Sequence, residues 1–412
     1  MNTKETTTRG LDASVIRRSN RKAVLDVLRS REPVGRREIA ELTRLSVPTI
    51  SRVTAELAEQ SIIREVGSVN IGKAKRKTAL LDINPEAGWV VGMEVGGAHI
   101  RATAIDLKGE LHESVESSME NVRGEEPVAE AIQSVLKKII TTCEPMRGRP
   151  LSIGVSSAGV VDSGAGIVTL SFNLQVQNFH VAKIVRDVCD VPVAVDNNIT
   201  APTLAEARLG HGRHHSSFAY LSIGMGIGAG YVLDGQVQHL SPHAEFGLMV
   251  VAPEGDPERF GGRGYLESLA SGRGIAASAR RAMESGEKTL ISDLTPEGPA
   301  SVTAKIVAQA ARQNDELALK IMARAAEYLG IGIVNIAHTL GLTTFFINGG
   351  VPRSGEPFWK PLRESIERHE YWPGEIQLEE SLLSDDAAVI GAGLLGLEKA
   401  FERLVANGDS NP

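Results

Sequence analysis

The sequence predicts an α/β protein in two parts, a small head of three helices and a β-hairpin and a long body of alternating strands and helices. Three observations carry this. Apolar residues recur at helical spacing three times between Ser14 and Gln60. Two apolar runs then flank a basic, Gly-containing tip, the pattern of a hairpin. Beyond residue 83, Val- and Ile-rich runs alternate with helical stretches, and Gly-rich turns follow several of the strands. The boundary falls between a head of residues 1–82 and a body of residues 83–412.

The first helical stretch, Ser14 to Arg31, carries Val15, Val24, Leu25, Val27 and Leu28 and stops at Pro33-Val34-Gly35. A second, Arg36 to Arg44, places Ile39 and Leu42 on one face. After a short turn at Leu45, Ser46 caps a third helix that tolerates Pro48 in its first turn. Ile50, Val53, Leu57 and Ala58 form its inward stripe. Two short helices joined by a tight turn behind a longer one predict a helix-turn-helix. The outward face of the third helix then shows Val47, Pro48, Thr49, Ser51, Arg52 and Thr54. Small residues let a helix backbone approach base edges, and hydroxyls and guanidinium groups bind phosphates or bases.

Ile62 to Gly67 and Thr78 to Ile83 read as the two strands of a wing. Lys73, Lys75, Arg76 and Lys77 crowd its tip and are suited to phosphates or a minor groove. Residues 1–82 hold 17 Lys and Arg against 10 Asp and Glu, a net of +7, while the remainder is at −14. A basic head on an acidic body is the footprint of a nucleic-acid module or of a solvated basic face, and the order of the helices together with this asymmetry favours double-stranded DNA as the head's partner.

In the body, strands flank a turn at Gly96-Gly97, and a helix follows from Val128 to Ile140. Further strands run through Ile153-Gly154-Val155 and Val191 to Val195, the latter followed by Asp196-Asn197-Asn198 and a helix from Thr200 to Leu209. Ala219 to Val232 is a strand pair turning at Gly224-Met225-Gly226-Ile227-Gly228. A helix-rich stretch from Gly274 to Ala337 precedes a strand that ends in Asn348-Gly349-Gly350. Gly-rich strand turns bring backbone N–H groups close to an oxyanion, although each also serves an ordinary hairpin.

Hydrophobic content of 42% and charged content of 23% suit a folded globular chain. No apolar run is long enough to span a membrane, and Met1 to Gly10 has no apolar core of a secretory leader. Cys143 and Cys189 stand alone, so a reducing, cytoplasmic setting is expected.

Taken together, these motifs resemble the ROK family (repressors, open reading frames and kinases) from about Ser14 to Leu397. Leu45-Ser46-Val47-Pro48-Thr49-Ile50-Ser51-Arg52 is similar to its recognition helix. Glu94-Val95-Gly96-Gly97-Ala98 resembles its first phosphate loop, Asp-x-Gly-Gly-Thr, and Gly224 to Gly228 its second, Gly-Thr-Gly-x-Gly. Asn348-Gly349-Gly350 resembles its nucleotide-side turn. The resemblance implies a winged helix-turn-helix followed by an actin-like, two-lobed sugar-kinase-type (ribonuclease H-like) domain that senses a ligand and dimerises. A homodimer or dimer of dimers is expected, with a carbohydrate bound between the lobes.

The departures argue against kinase chemistry. The family's catalytic base, the Asp of Glu-Asn-Asp, is Asn198 here, and an amide cannot accept a hydroxyl proton. Ala98 and Met225 replace two phosphate-loop hydroxyls. The family's zinc ligands correspond to Leu248, Glu258, Phe260 and Tyr265, two of them hydrocarbon, so an apolar cluster is expected in place of the metal and no cofactor at all. The trio His211, His214 and His215 reads as a solvated loop. Of the sugar pocket, the resemblance leaves Asn173, Asn197, Asn198, Glu245 and Glu267. The implied function is a DNA-binding transcriptional repressor of carbohydrate-related genes, relieved by a small carbohydrate. The alternatives are an active sugar kinase with a fused DNA module and a DNA-binding scaffold whose body only dimerises.

Overall fold

A computed structural model describes residues 12–31, 33–71, 76–239, 245–254 and 263–406, with the side chains of 69–71 and 76 excepted. These fall into two compact units, 1–197 with 392–412, and 198–391.

The first unit begins with the head. Helices α1 (Ala13–Ser30), α2 (Arg36–Thr43) and α3 (Val47–Glu59) precede the antiparallel wing strands Ile63–Ile71 and Arg76–Ile83. The short strand Val34–Gly35 closes a three-stranded sheet on the second wing strand. Val24, Leu25, Leu28, Ile39, Ile50, Val53 and Leu57 form the buried stripe that the helical spacing predicts. Val15 and Leu42 are instead exposed, and Ala40 accompanies Ile39 inward. Ala58 is also exposed, because the helix is nearly over and its turn faces solvent.

The head's core does not end at the head. Its buried residues form one cluster with Val90, Ile105 and Leu107 of the body and with Leu397, Ala400 and Phe401 of the C-terminal helix Ala387–Ala406. The Arg29 guanidinium lies 4.5 Å from the Phe401 ring centroid.

The body part of this unit is a five-stranded sheet ordered Val193–Asn197, Ile153–Ser157, Trp89–Val95, His99–Asp106, Leu111–Ser118. The first three strands are parallel and the last two continue as antiparallel hairpins. Strand alternation gives each face its own partner. Trp89, Val91, Met93 and Val95 pack with Val128, Ile132, Leu136 and Ile139 of the helix Glu125–Arg147. On the other face, the C-terminal helix comes so near that a Cβ on Gly154 would lie 1.8 Å from Ala392 O. The Ser152 hydroxyl donates to Gly396 O at 2.6 Å across the same contact.

The second unit repeats this plan. Its sheet is ordered Gln236–Val237, Ile227–Leu233, Phe218–Ile223, Thr344–Asn348, Gln377–Glu380. Numbered in chain order, both sheets run 3-2-1-4-5, with three antiparallel strands followed by two parallel additions. This doubled sheet is the actin-like, ribonuclease H-type architecture. The long helix Glu316–Leu340 contributes Met322, Ala326, Leu329 and Ile333 to the core beneath the second sheet. No helix among the described residues is long and apolar enough to cross a membrane.

Candidate functional site

The exposed face of α3 is built by local chemistry. Ser46 accepts the Thr49 N–H at 3.3 Å, which satisfies one of the donors the helix start leaves open, and Pro48 occupies the first turn. Val47 is 53% exposed, and Pro48, Ser51 and Arg52 are exposed beside it. Thr49 is half-buried, its hydroxyl 2.8 Å from that of Ser46. Thr54 does not belong to this face. It is fully buried, donates to Ile50 O at 2.8 Å, and accepts from Arg36 Nε at 3.0 Å. In the wing, Lys77 is exposed on its strand opposite Asn70. Arg76 pairs with Ile71 through the backbone, and Lys73 and Lys75 lie outside the described residues.

One guanidinium group that the helical spacing does not single out, Arg17 of α1, joins Arg52 beside α3. Arg17 of α1 reaches one oxygen of Glu56 at 3.3 Å, and Arg52 the other at 3.8 Å.

The first Gly turn carries an ion cluster. Glu94 is pinned between His99 and Arg101, at 3.5 and 3.6 Å from its Oε2. A hydrogen bond to Glu94 holds the His99 imidazole above its ordinary pKa, against the opposing effect of burial. Arg123 donates to Gly97 O at 3.0 Å and ties the turn down. The sequence does contain this signal: pairing the strands around Gly96-Gly97 puts Glu94 opposite Arg101.

In the second unit the structure brings Glu245 and Glu267 together. Glu267 lies in the short helix Leu266–Ala270, and its Oε2 accepts the Ile227 N–H at 3.0 Å. Gly226 and Gly247 leave it room: a Cβ would approach Glu267 Oε2 to 2.6 Å from Gly226 and to 3.4 Å from Gly247. Glu245 precedes the turn Phe246–Leu248. It is exposed by area, yet the protein around its carboxyl, and then the charge of Glu267, push its pKa up. The two carboxylates offer oxygens that accept hydrogen bonds from hydroxyl groups. Asn198 opens this unit and is exposed, whereas Asn173 and Asn197 belong to the first unit, both half-buried.

Two of the positions expected to form an apolar cluster, Leu248 and Tyr265, lie within the described residues. Leu248 is 43% exposed, and the Tyr265 hydroxyl accepts from Arg263 at 3.2 Å. Glu258 and Phe260 lie outside the described residues. An isobutyl group and a hydrogen-bonded phenol do not fit a tetrahedral zinc ion. The third Gly turn is braced from within: the Asn348 amide donates to the Tyr220 hydroxyl at 2.8 Å and accepts the Gly349 N–H at 2.7 Å. His211 and His214 are exposed and His215 is half-buried with its ring edge-on to Phe346.

Comparison with known proteins places this arrangement. The xylose repressor of Caldicellulosiruptor bescii is 26% identical over 384 residues, 92% of this chain and 95% of that one. A glucokinase of Halalkalibacterium halodurans is 29% identical over 313 residues, covering 74% of this chain and 94% of its own. A crystal structure of a ROK family transcriptional regulator, a homolog of the E. coli MLC protein, superposes with a TM-score of 0.81 at 22% identity over 95% of this chain and 98% of that one. The ROK family itself matches residues 90–399, three quarters of the sequence. The chain belongs to the ROK family.

Proposed function

We propose that this chain is a sugar-responsive transcriptional repressor that reads duplex DNA through its head and a carbohydrate through its body. The observation that carries this reading is the extent of similarity. The repressor relative matches over 92% of this chain, more than the body alone could supply, whereas the glucokinase matches over 74%, a length that the body alone could supply. The head supplies what DNA recognition needs, a capped α3 with exposed Val47, Pro48, Ser51 and Arg52, Thr49 at its rim, and a wing bearing Lys73, Lys75, Arg76 and Lys77. A dimer binding two half-sites matches the geometry such heads use.

The body serves as sensor and not as catalyst in this reading. Asn198 provides no general base, Ala98 and Met225 provide no phosphate-loop hydroxyl, and Glu94 is engaged by His99 and Arg101. No zinc is expected, given Leu248 and Tyr265 at ligand positions. Glu245 and Glu267 take the ligand's hydroxyls, with Asn198 of the same unit as a further contact. The ligand acts on DNA affinity only by favouring one arrangement of the protein over another. The reading places the protein in the cytoplasm, where operator and sugar meet.

The experiment is a gel-shift titration on the chain's own upstream region against random duplex, with and without sugars that raise the melting temperature in a carbohydrate screen. Preferential binding that a hit sugar weakens supports the reading. Equal affinity for both duplexes sinks it.

A further inference from the structure

Arg17 has no role in the face described above, yet it meets Arg52 of that face. Arg17 and Arg52 come from different helices and meet on the two oxygens of one carboxylate, Glu56. A single negative charge thus answers two positive ones. Beside them opens a cavity of about 520 Å³ lined by Ala13, Ser14, Ile16, Arg17 and Arg52. Arg17 Nε is buried and has no hydrogen-bond partner in the structure. An unpaired, shielded guanidinium N–H is costly unless an acceptor reaches it. Arg18 adds a third cation, its Nη2 donating to the Ser14 hydroxyl at 3.5 Å. Asp12 caps the helix, accepting from the Ser14 N–H and hydroxyl. The cavity sits at the first turn of the 18-residue α1, where the helix dipole favours an anion.

We infer that this cavity is a phosphodiester-binding clamp for the DNA backbone, with Arg17 and Arg52 as its two arms. The inference rests on the DNA-binding reading and extends it to α1. Arg52 lies on the exposed face of α3, so the cavity borders the surface that approaches the duplex. A phosphate seated there takes hydrogen bonds from both guanidinium groups, including the orphaned Nε, and Glu56 holds the arms apart until it arrives. A contact of this kind fixes register and adds affinity without reading sequence.

The test is the salt dependence of duplex binding by the full chain, measured by fluorescence anisotropy on operator and on random DNA. Arg17→Gln should lower the log K against log salt slope by about 0.9, so that its affinity falls about threefold less than the parent's between 50 and 200 mM salt. The loss should be equal on both duplexes. Arg17→Lys should retain the slope, and Lys22→Gln, on the same helix but paired with Asp26, should match the parent. Glu56→Gln should bind DNA more tightly. An Arg17→Gln slope equal to the parent's, with an unchanged melting curve, overturns the clamp while leaving DNA binding intact. If Arg17→Gln fails to fold, an Arg17→Lys slope reduced like that of a neutral variant overturns it as well. A parent without duplex binding overturns the underlying reading instead.

Discussion

Gly226 and Glu267 are matched as socket and plug: a Cβ on the glycine would stand 2.6 Å from the carboxylate oxygen that also accepts the Ile227 N–H. Gly226→Ala should therefore push the carboxylate out of place without touching the head. Glu267→Ala removes it outright. Both variants should keep parental operator affinity and lose most of the sugar's effect on it, measured by gel shift. A Glu267→Ala protein that still responds like the parent would move the sensor site elsewhere.

Glu245 gives a pH dependence of stability. Its folded pKa lies above the ordinary glutamate value of 4.5, raised by burial and then by Glu267. Between those two values the folded chain holds more protons than the unfolded one. Its contribution to stability is therefore lost as pH rises through that window. In Glu245→Gln this loss should vanish, and the melting temperature should fall less steeply than the parent's over the same range.

Replacing Lys73, Lys75, Arg76 and Lys77 with Gln should flatten the salt slope of DNA binding. Each phosphate contact removed lowers it by about 0.9. An unchanged slope would show that the wing does not touch the backbone.

ATP-dependent phosphorylation of a hexose panel should not exceed background in a coupled assay. Turnover that a further change at Gly97 or Gly226 abolished would show that the altered loops still work. Metal analysis of protein purified without added metal should likewise find no stoichiometric zinc.

Phe401→Ala should destabilise the whole first unit, by about 3–5 kcal/mol, because it removes a buried ring from a core shared with the head. Arg29→Ala, losing the cation above that ring, should cost less, its cation–π part being about 0.5–1 kcal/mol. Denaturant midpoints distinguish the two.

What the sequence made legible was local. Ser46 and Pro48 announce the start of α3 because capping involves only neighbours. Thr54 was misplaced because a hydroxyl that bonds back to Ile50 O can be buried without penalty, and spacing alone does not show this. The repeated 3-2-1-4-5 sheet is implied by the family resemblance and not by residue spacing, since it depends on pairings such as Ala219 with Phe345, far apart in the chain and free of shared residue pattern. The proximity of Glu245 and Glu267 came from the family resemblance, while the glycines that make room for Glu267 became apparent only in three dimensions.

The operator reader is also less detachable than its place at one end of the chain implies. Val90 and Ile105 from the sheet and Leu397 and Phe401 from the last helix wall the same apolar interior as Val24 and Leu28. A fragment cut after residue 82 would leave that wall behind and present a raw hydrophobic flank to water. Grafting this head onto a foreign sensor would thus call for carrying along the far terminus too, a constraint that ties the inheritance of the two ends together.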